Sequence, residues 1–323
     1  MNSPAVLAPH AGRPSVRQLL AAAPGAVYLL VILCSLLAVW RPEFLSTANL
    51  TNVALQVAVL VIVALGMTLV ILTEGIDLSL GAVLGLAGVV MGLALVGGHP
   101  FPLAIAAALG VGVAFGLANG ALIAWAGMPP FIVTLGTLGI AHSLAMVLTQ
   151  GNSVTGLPAQ VRWFNEGLVL GFPVPLVATA ILFLLTYALL YHTRFGRYVF
   201  AIGGNRRALA LSGVRVSAYL IAVYAFAGAM AAAASFVMTA RMNAAHPTIA
   251  LGLEFDAIAA VVLGGTSFEK GRGGIIGTLA GAAAVGVLRN GLNLLGVSAE
   301  WQVAAIGLVI IGGVAFDSVR GRT

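Results

Sequence analysis

Ten apolar runs, most of them close to 20 residues long, follow one another from Pro24 to Phe316 with no polar domain between them. Crossing a hydrocarbon core about 30 Å thick takes about 20 apolar residues in a helix. Repeated runs of this length restrict the chain to an all-α integral membrane protein of about ten transmembrane helices. Hydropathy places the spans at about 22–40, 52–73, 78–97, 102–125, 131–149, 173–192, 217–240, 250–267, 274–295 and 302–318. Only 7% of the residues are charged and 61% are hydrophobic, where a soluble domain carries about 25% charged residues. The 41 glycines fit the same solvent, because small residues let helix backbones approach where no hydrophobic effect drives them together. The short runs beside Asp77 and Gly265 are candidates for broken or re-entrant helices.

The basic residues give the bundle a direction. With the N-terminus in the cytoplasm, ten crossings put Arg13, Arg17, Arg194, Arg197, Arg206, Arg207, Arg215, Lys270, Arg272, Arg320 and Arg322 on the inner side and Arg41, Arg162, Arg241 and Arg289 on the outer side. This split follows the positive-inside bias, and an odd number of crossings scrambles it. Both termini are expected in the cytoplasm, with the loop 150–172 outside and the loop 193–217 inside. The net charge of +6 therefore belongs to topology rather than to a nucleic-acid partner. Residues 1–21 read as a cytoplasmic tail. The apolar run after them continues to Trp40, too long for a signal-peptide core, and reads as an uncleaved first helix opening a single transmembrane domain over 22–319.

A faint repeat appears at an offset of 193 residues. Thr73, Gly81 and Leu86-Ala87-Gly88 fall on Thr266, Gly274 and Leu279-Ala280-Gly281. A parallel repeat of the second to fifth spans on the seventh to tenth is the expectation, as in transporters with duplicated halves.

Three segments interrupt the apolar pattern with chemistry. The first, from Leu72 to Gly81, holds Glu74, Asp77 and Ser79 between strongly apolar runs. A charge at mid-bilayer costs about 2.5–3.5 kcal/mol on insertion scales, so these acids face away from lipid. Either Asp77 or Ser79 caps the third helix in a turn, or the segment is a break that lines a polar pathway. The second runs from Arg194 to Gly213. Asn205 is placed to cap a short helix from Arg206 to Ser212, with Gly213 at its end. A loop that only sets topology needs arginines but no capped, glycine-bounded helix, so Gly203, Gly204, Asn205, Arg206, Ala208, Leu211, Ser212 and Gly213 read as a docking element. The third joins Glu254 and Asp256 to a turn rich in glycine, with Gly264, Gly265, Gly271 and Gly273. This turn resembles a phosphate cradle but lacks the G-x-x-x-x-G-K-[ST] pattern, which occurs nowhere in the chain. Nucleotide hydrolysis therefore belongs to another chain, and this one has no catalytic residues. Glu254 and Asp256 read as outer-interface residues, with direct contact with a substrate as the alternative.

Within the spans, Gln56, Asn119, Thr134, Asn290 and Asn293 are polar groups able to bond either a neighbouring helix or a hydroxylated solute. Pro129-Pro130 opens the fifth span, where a missing amide costs nothing. The five histidines are scattered and the one cysteine, Cys34, lies in the first span, so neither a metal site nor a disulfide is expected.

At these segments the chain resembles the ribose-type permease family, the membrane subunits of bacterial ATP-binding-cassette importers for monosaccharides. The resemblance lies at Gly75-Ile76-Asp77-Leu78-Ser79, at Pro129-Pro130-Phe131-Ile132-Val133-Thr134-Leu135-Gly136, and at Ala201-Ile202-Gly203-Gly204-Asn205-Arg206 with Leu211-Ser212-Gly213. Its longest part runs from Asp256 to Ser267, through Gly271-Arg272-Gly273, to Asn290-Gly291-Leu292-Asn293-Leu294-Leu295-Gly296-Val297. Glu74 departs from it, standing where many relatives have glycine, as does Phe268-Glu269-Lys270 in a stretch often made of glycine and serine. The resemblance implies a permease that works as a pair, homodimeric or heterodimeric, in the bacterial inner membrane. It further implies a cytoplasmic ATPase that uses ATP and Mg and docks at Gly204 to Gly213, and a periplasmic sugar-binding protein on the outer face. The permease itself binds no cofactor in this picture. Candidates for the sugar path are Glu74, Asp77, Ser79, Asn119, Thr134, Asp256, Asn290 and Asn293. An ion-coupled secondary transporter, or a related permease for branched-chain amino acids, is the alternative.

Overall fold

The computed structural model describes residues 25–268 and 271–320. The tail 1–21, Glu269, Lys270 and Arg322 lie outside the described residues. The chain runs α1 (Gly25–Trp40), a 3-10 turn (Pro42–Leu45), α2 (Thr47–Leu72), α3 (Leu80–Val96), α4 (Phe101–Ala124), α5 (Pro130–Thr149), α6 (Ala159–Glu166), β1 (Leu168–Val169), β2 (Phe172–Pro173), α7 (Val174–His192), α8 (Arg194–Leu211), α9 (Val216–Met242), α10 (Leu253–Leu263), α11 (Ile275–Leu294) and α12 (Ala299–Arg320). A helix lies on each of the ten hydropathy runs. Among the described residues six of them, α2, α4, α5, α7, α9 and α11, are long and apolar enough to cross a membrane.

The run at 250–267, beside Gly265, is one of the candidates for a broken helix, and it is not helical throughout. Its helix, α10, has only 11 residues, about 16 Å at 1.5 Å per residue, roughly half the hydrocarbon core. The rest of the run enters as non-helical chain, and Gly252 turns it into α10 with φ 91. Proline at 247 and glycine at 252 act on backbone conformation without lowering hydropathy, so an apolar window reads through the break. The loop 150–172 holds secondary structure of its own. It carries α6 and an antiparallel hairpin in which Leu168 faces Pro173 and Val169 faces Phe172.

The pillar of the bundle is α2, every residue of which from Ala58 to Leu72 is buried against α7, α9, α10 and α11. Its Thr68 hydroxyl meets that of Thr278 on α11 at 2.8 Å, and each also bonds a carbonyl of its own helix. Small residues then set how close the other helices come. On α4, Ala104, Ala108, Gly112, Gly116 and Gly120 recur every fourth position and are all buried. A Cβ on Gly116 would strike the Tyr224 carbonyl of α9, and one on Gly112 the Gly228 carbonyl. The helices α4 and α9 thus pack backbone to backbone, the arrangement that small-xxx-small spacing permits.

On α3 the glycines at 81, 85, 88 and 92 make a second groove. Gly92 meets Ala245, Gly85 meets the Pro247 carbonyl, and Gly81 meets the Ala250 carbonyl and Glu254. The non-helical half of the broken span therefore lies along α3, shielded from lipid.

The repeat is narrower than the sequence expectation. An offset of 193 brings α2, α3 and α4 onto the broken span, α11 and α12, not the second to fifth spans onto the seventh to tenth. A similar closure ends α2 and α10, 191 residues apart and so two residues out of register with the repeat. The amide of Gly75 reaches back to the Val70 carbonyl, and that of Thr266 to the Val261 carbonyl, each after a left-handed residue, Glu74 with φ 62 and Gly265 with φ 82. This is the Schellman closure, which favours glycine at the left-handed position. Glu74 thus occupies a left-handed position that favours glycine. Glu74→Gly is expected to stabilise the protein by about 1 kcal/mol, and Gly116→Leu to cost more than about 3 kcal/mol through overpacking. Thermal denaturation of the purified chain in lipid nanodiscs measures both.

Candidate functional site

Polar residues gather at three places in this apolar bundle. The first is the helix that closes one end. Thr193 caps α8 by accepting the Gly196 amide, and Gly196, Val199, Ile202 and Gly203 turn inward. At Asn205 the backbone leaves the helix, with φ −162 and ψ 92, and its side chain accepts the Ala208 amide at 2.9 Å. This is an N-cap bond inside what is otherwise one helix, and it starts a separate short helix at Arg206. Ser212 closes that helix by donating its hydroxyl to the Ala208 carbonyl, and Gly213 leaves it with φ 82. Gly204, Asn205, Arg206, Ala208, Ser212 and Gly213 are exposed, and Leu211 is 89% exposed. Gly203 is the opposite. A Cβ there would strike the Leu72 carbonyl at the end of α2 and the backbone of Gly271. The buried half of α8 is thus wedged between the turn that ends α2 and the turn that follows α10.

That second turn needs its glycines. Gly264 packs against the Gly277 backbone of α11. Gly265, Gly271 and Gly273 take φ 82, 55 and 134, which side chains rarely tolerate. The Thr266 hydroxyl accepts the Gly274 amide at 3.1 Å, leading the chain into α11.

The second place is the segment between α2 and α3. Asp77 accepts both the Ser79 amide at 2.9 Å and the Ser79 hydroxyl at 2.6 Å. Asn119 of α4 donates to the Ser79 hydroxyl at 3.0 Å, and Thr134 of α5 donates to the Ile76 carbonyl at 3.3 Å. Four of the path candidates, Asp77, Ser79, Asn119 and Thr134, therefore come together from three elements, all buried. Ser79 precedes α3, but its side chain makes no capping bond, because Asp77 and Asn119 occupy it. Glu74 stays exposed at the α8 end.

The third place is the break before α10. Glu254 and Asp256 are each 3% exposed, so both are enclosed by protein rather than lying on its surface. The break itself brings them inside. Glu254 accepts the Gly252 amide with its carboxylate. Asp256 forms an ion pair with Arg289 of α11 at 2.8 Å. The pair separates two cavities. One, of about 110 Å³, is lined by Gln56, Met238, Arg241, Gly286 and the chain 249–253. The other, of about 230 Å³, is bounded by Gly252, Phe255, Val303, Ile306 and Gly307. A break in a span is tolerated where protein or a polar cavity receives it, and both conditions hold here.

Asn290 and Asn293 do not join these groups. Asn290 exchanges amide bonds with Asn49 at 2.8 and 3.1 Å, and Asn293 accepts from Gln302 at 2.7 Å. Sequence reasoning passed over Arg241, Arg289 and Tyr224. Arg289 had a signal, since an arginine inside an apolar run marks a polar interior. Tyr224, in an alanine-rich helix, had none. Among the described residues no three His, Cys, Asp or Glu come close enough to hold a metal ion.

Single truncations at the ion pair leave a buried charge behind, so Arg289→Met is expected to cost about 3–5 kcal/mol. The double variant Asp256→Leu with Arg289→Met is expected to recover most of it, as read by thermal denaturation.

The family model for the permease component of the branched-chain amino acid transport system matches residues 49–314. The ribose import permease protein RbsC of Bacillus subtilis is 43% identical over 293 residues, covering 90% of each chain. That of Escherichia coli K12 is 44% identical over 296 residues, 90% of this chain and 92% of the other. A solved chain described as an ABC transporter of metal-chelate type, in an inward-facing conformation, shares the fold with a TM-score of 0.51 at 15% identity, over 93% of this chain and 97% of that one. With this fold, six apolar spans and relatives of these identities, the chain is a multi-pass cytoplasmic-membrane protein and belongs to the permease family of ABC importers.

Proposed function

We propose that the chain is the membrane-spanning subunit of an importer that carries a ribose-like monosaccharide, pentose or hexose, delivered by a periplasmic binding protein. A separate cytoplasmic ATPase, using ATP and Mg, supplies the work. The two ribose permeases at 43% and 44% identity support the sugar class. The contact of Gly203 with the Leu72 carbonyl and with Gly271 is the observation that carries the mechanism. It connects an exposed, independently capped helix to the ends of both α2 and α10.

In this reading ten crossings, one of them broken at 243–252, leave both termini in the cytoplasm, with 193–217 inside and 150–172 outside. Two permease subunits form the conduit. The helix from Arg206 to Ser212 seats on the ATPase, and its movement passes through Gly203 to the α2–α3 and α10–α11 turns. Asp256 and Arg289, held in each other's charge while the path is shut, present acceptor and donor groups to sugar hydroxyls when the two cavities join. Population shifts between outward and inward openings as the ATPase subunits close and reopen.

The test is uptake of labelled ribose into vesicles carrying this chain with its ATPase and binding protein. ATP-driven uptake is expected, with no uptake on a sodium or proton gradient alone. Gly204→Pro and Arg206→Glu are expected to reduce it at least about tenfold with membrane insertion intact, a loss of more than 1.4 kcal/mol of coupling. Uptake driven by an ion gradient in place of ATP indicates a secondary transporter. A binding protein that selects branched-chain amino acids moves the substrate to that class.

A further inference from the structure

Three polar atoms around the α2–α3 segment are buried and have no hydrogen-bond partner among the described residues: Asp77 Oδ2, Asn119 Oδ1 and the Tyr224 hydroxyl. The residues that carry them are each no more than 1% exposed. They converge from three elements. Asp77 and Asn119 share the Ser79 hydroxyl, and the Tyr224 hydroxyl of α9 sits against Gly75, where a Cβ would strike it. A buried polar atom without a partner costs about 1–3 kcal/mol, and a buried unpaired charge more, so three around one segment call for a common partner. No lysine, arginine or histidine among the described residues lies within ion-pair distance of Asp77, and the ion pair that the structure shows is the one at Asp256.

We propose that these three oxygens, at the unwound segment Gly75–Leu78, bind a monovalent alkali cation, Na+ or K+. All three free atoms are oxygens, and two of them, a carboxylate oxygen and an amide oxygen, only accept. A proton on Asp77 satisfies one acceptor and leaves another. A water molecule supplies two donors but no charge to balance the carboxylate. An alkali cation serves all three and neutralises Asp77, and unwound segments between buried half-helices are where membrane proteins coordinate such ions. Access comes from the α8 end, through a cavity of about 250 Å³ whose walls include Thr73, Glu74, Gly75, Ile202, Arg206 and Tyr224. The ion ties the α2–α3 segment to α4 and α9 beside the docking helix. It is a structural ion, not a coupled one, and it stands or falls independently of the sugar-importer reading.

The test uses the full-length chain in lipid nanodiscs at constant ionic strength, with N-methylglucamine as the inert cation. Replacing that cation by NaCl or KCl is expected to raise the melting temperature by about 4 °C in a saturable manner, and the arm with the lower midpoint names the ion. Binding of radioactive sodium or of rubidium, as the potassium analogue, by the same particles is expected at one site per chain. Asp77→Asn is expected to abolish both effects. Tyr224→Phe, which keeps the ring and removes only the hydroxyl, and Asn119→Ala are expected to weaken the midpoint roughly tenfold or more, which keeps the test open if Asp77→Asn fails to fold. Absence of cation stabilisation and of binding in the unaltered chain overturns the proposal and leaves a protonated carboxyl or a water in its place. Stabilisation that persists at full strength in Asn119→Ala and Tyr224→Phe also overturns it, because the ion then sits elsewhere.

Discussion

Inside a bilayer no water is at hand for a backbone amide or carbonyl, so every residue that leaves the helix must find its hydrogen bonds within the protein. This chain leaves the helix twice in the middle of apolar sequence. Between α2 and α3 the amides of Thr73, Glu74 and Gly75 turn back onto the last carbonyls of α2, and Asp77 takes the Ser79 amide. Before α10, Ala245 exchanges two bonds with Val154 of the loop 150–172, Thr248 donates to the His246 ring, and Glu254 takes the Gly252 amide. The two buried acids therefore do backbone work that water does at a surface. Their burial follows from the breaks.

The breaks in turn require glycine. An irregular strand of chain can lie against α3 only because Gly81, Gly85 and Gly92 present no side chain to it. The same economy brings α4 onto α9 and α10 onto α11. Since lipid offers no hydrophobic drive for helix association, close van der Waals contact carries the packing. The abundance of glycine thus serves both particular helix contact lines and the left-handed positions of turns.

How much of this could be read in advance depends on the range of the interaction. The cap at Asn205 and the exit at Gly213 were legible because both act within four residues. The gathering of Asp77, Ser79, Asn119 and Thr134 was legible only as a list of polar residues in apolar surroundings, since nothing in their spacing says that α4 and α5 bring theirs to one turn. The pairing of Asp256 with Arg289 spans 33 residues and a turn of unusual backbone. Hydropathy saw Ile249-Ala250-Leu251-Gly252-Leu253 as one more apolar stretch. The break is set there by what the backbone can do at Pro247 and Gly252, a property that a side-chain scale does not measure.

Gly203 shows why these pieces belong to one device. A helix that only lay on the surface could move without consequence for the bundle, and a helix locked throughout could not move at all. The cap at Asn205 divides α8 into an exposed segment with its own hydrogen-bonded ends and a buried segment in which Gly203 lies against backbone atoms at Leu72 and Gly271. Backbone against backbone leaves no flexible side chain between Gly203 and the turns that follow α2 and α10, so in the proposed importer a displacement of this segment passes to both turns. Both helices end in Schellman turns; the Asp77 cluster follows α2, and Asp256 lies in the first turn of α10. Both polar sites lie one helix or one turn away from the same glycine, which lets a single docking motion act on both.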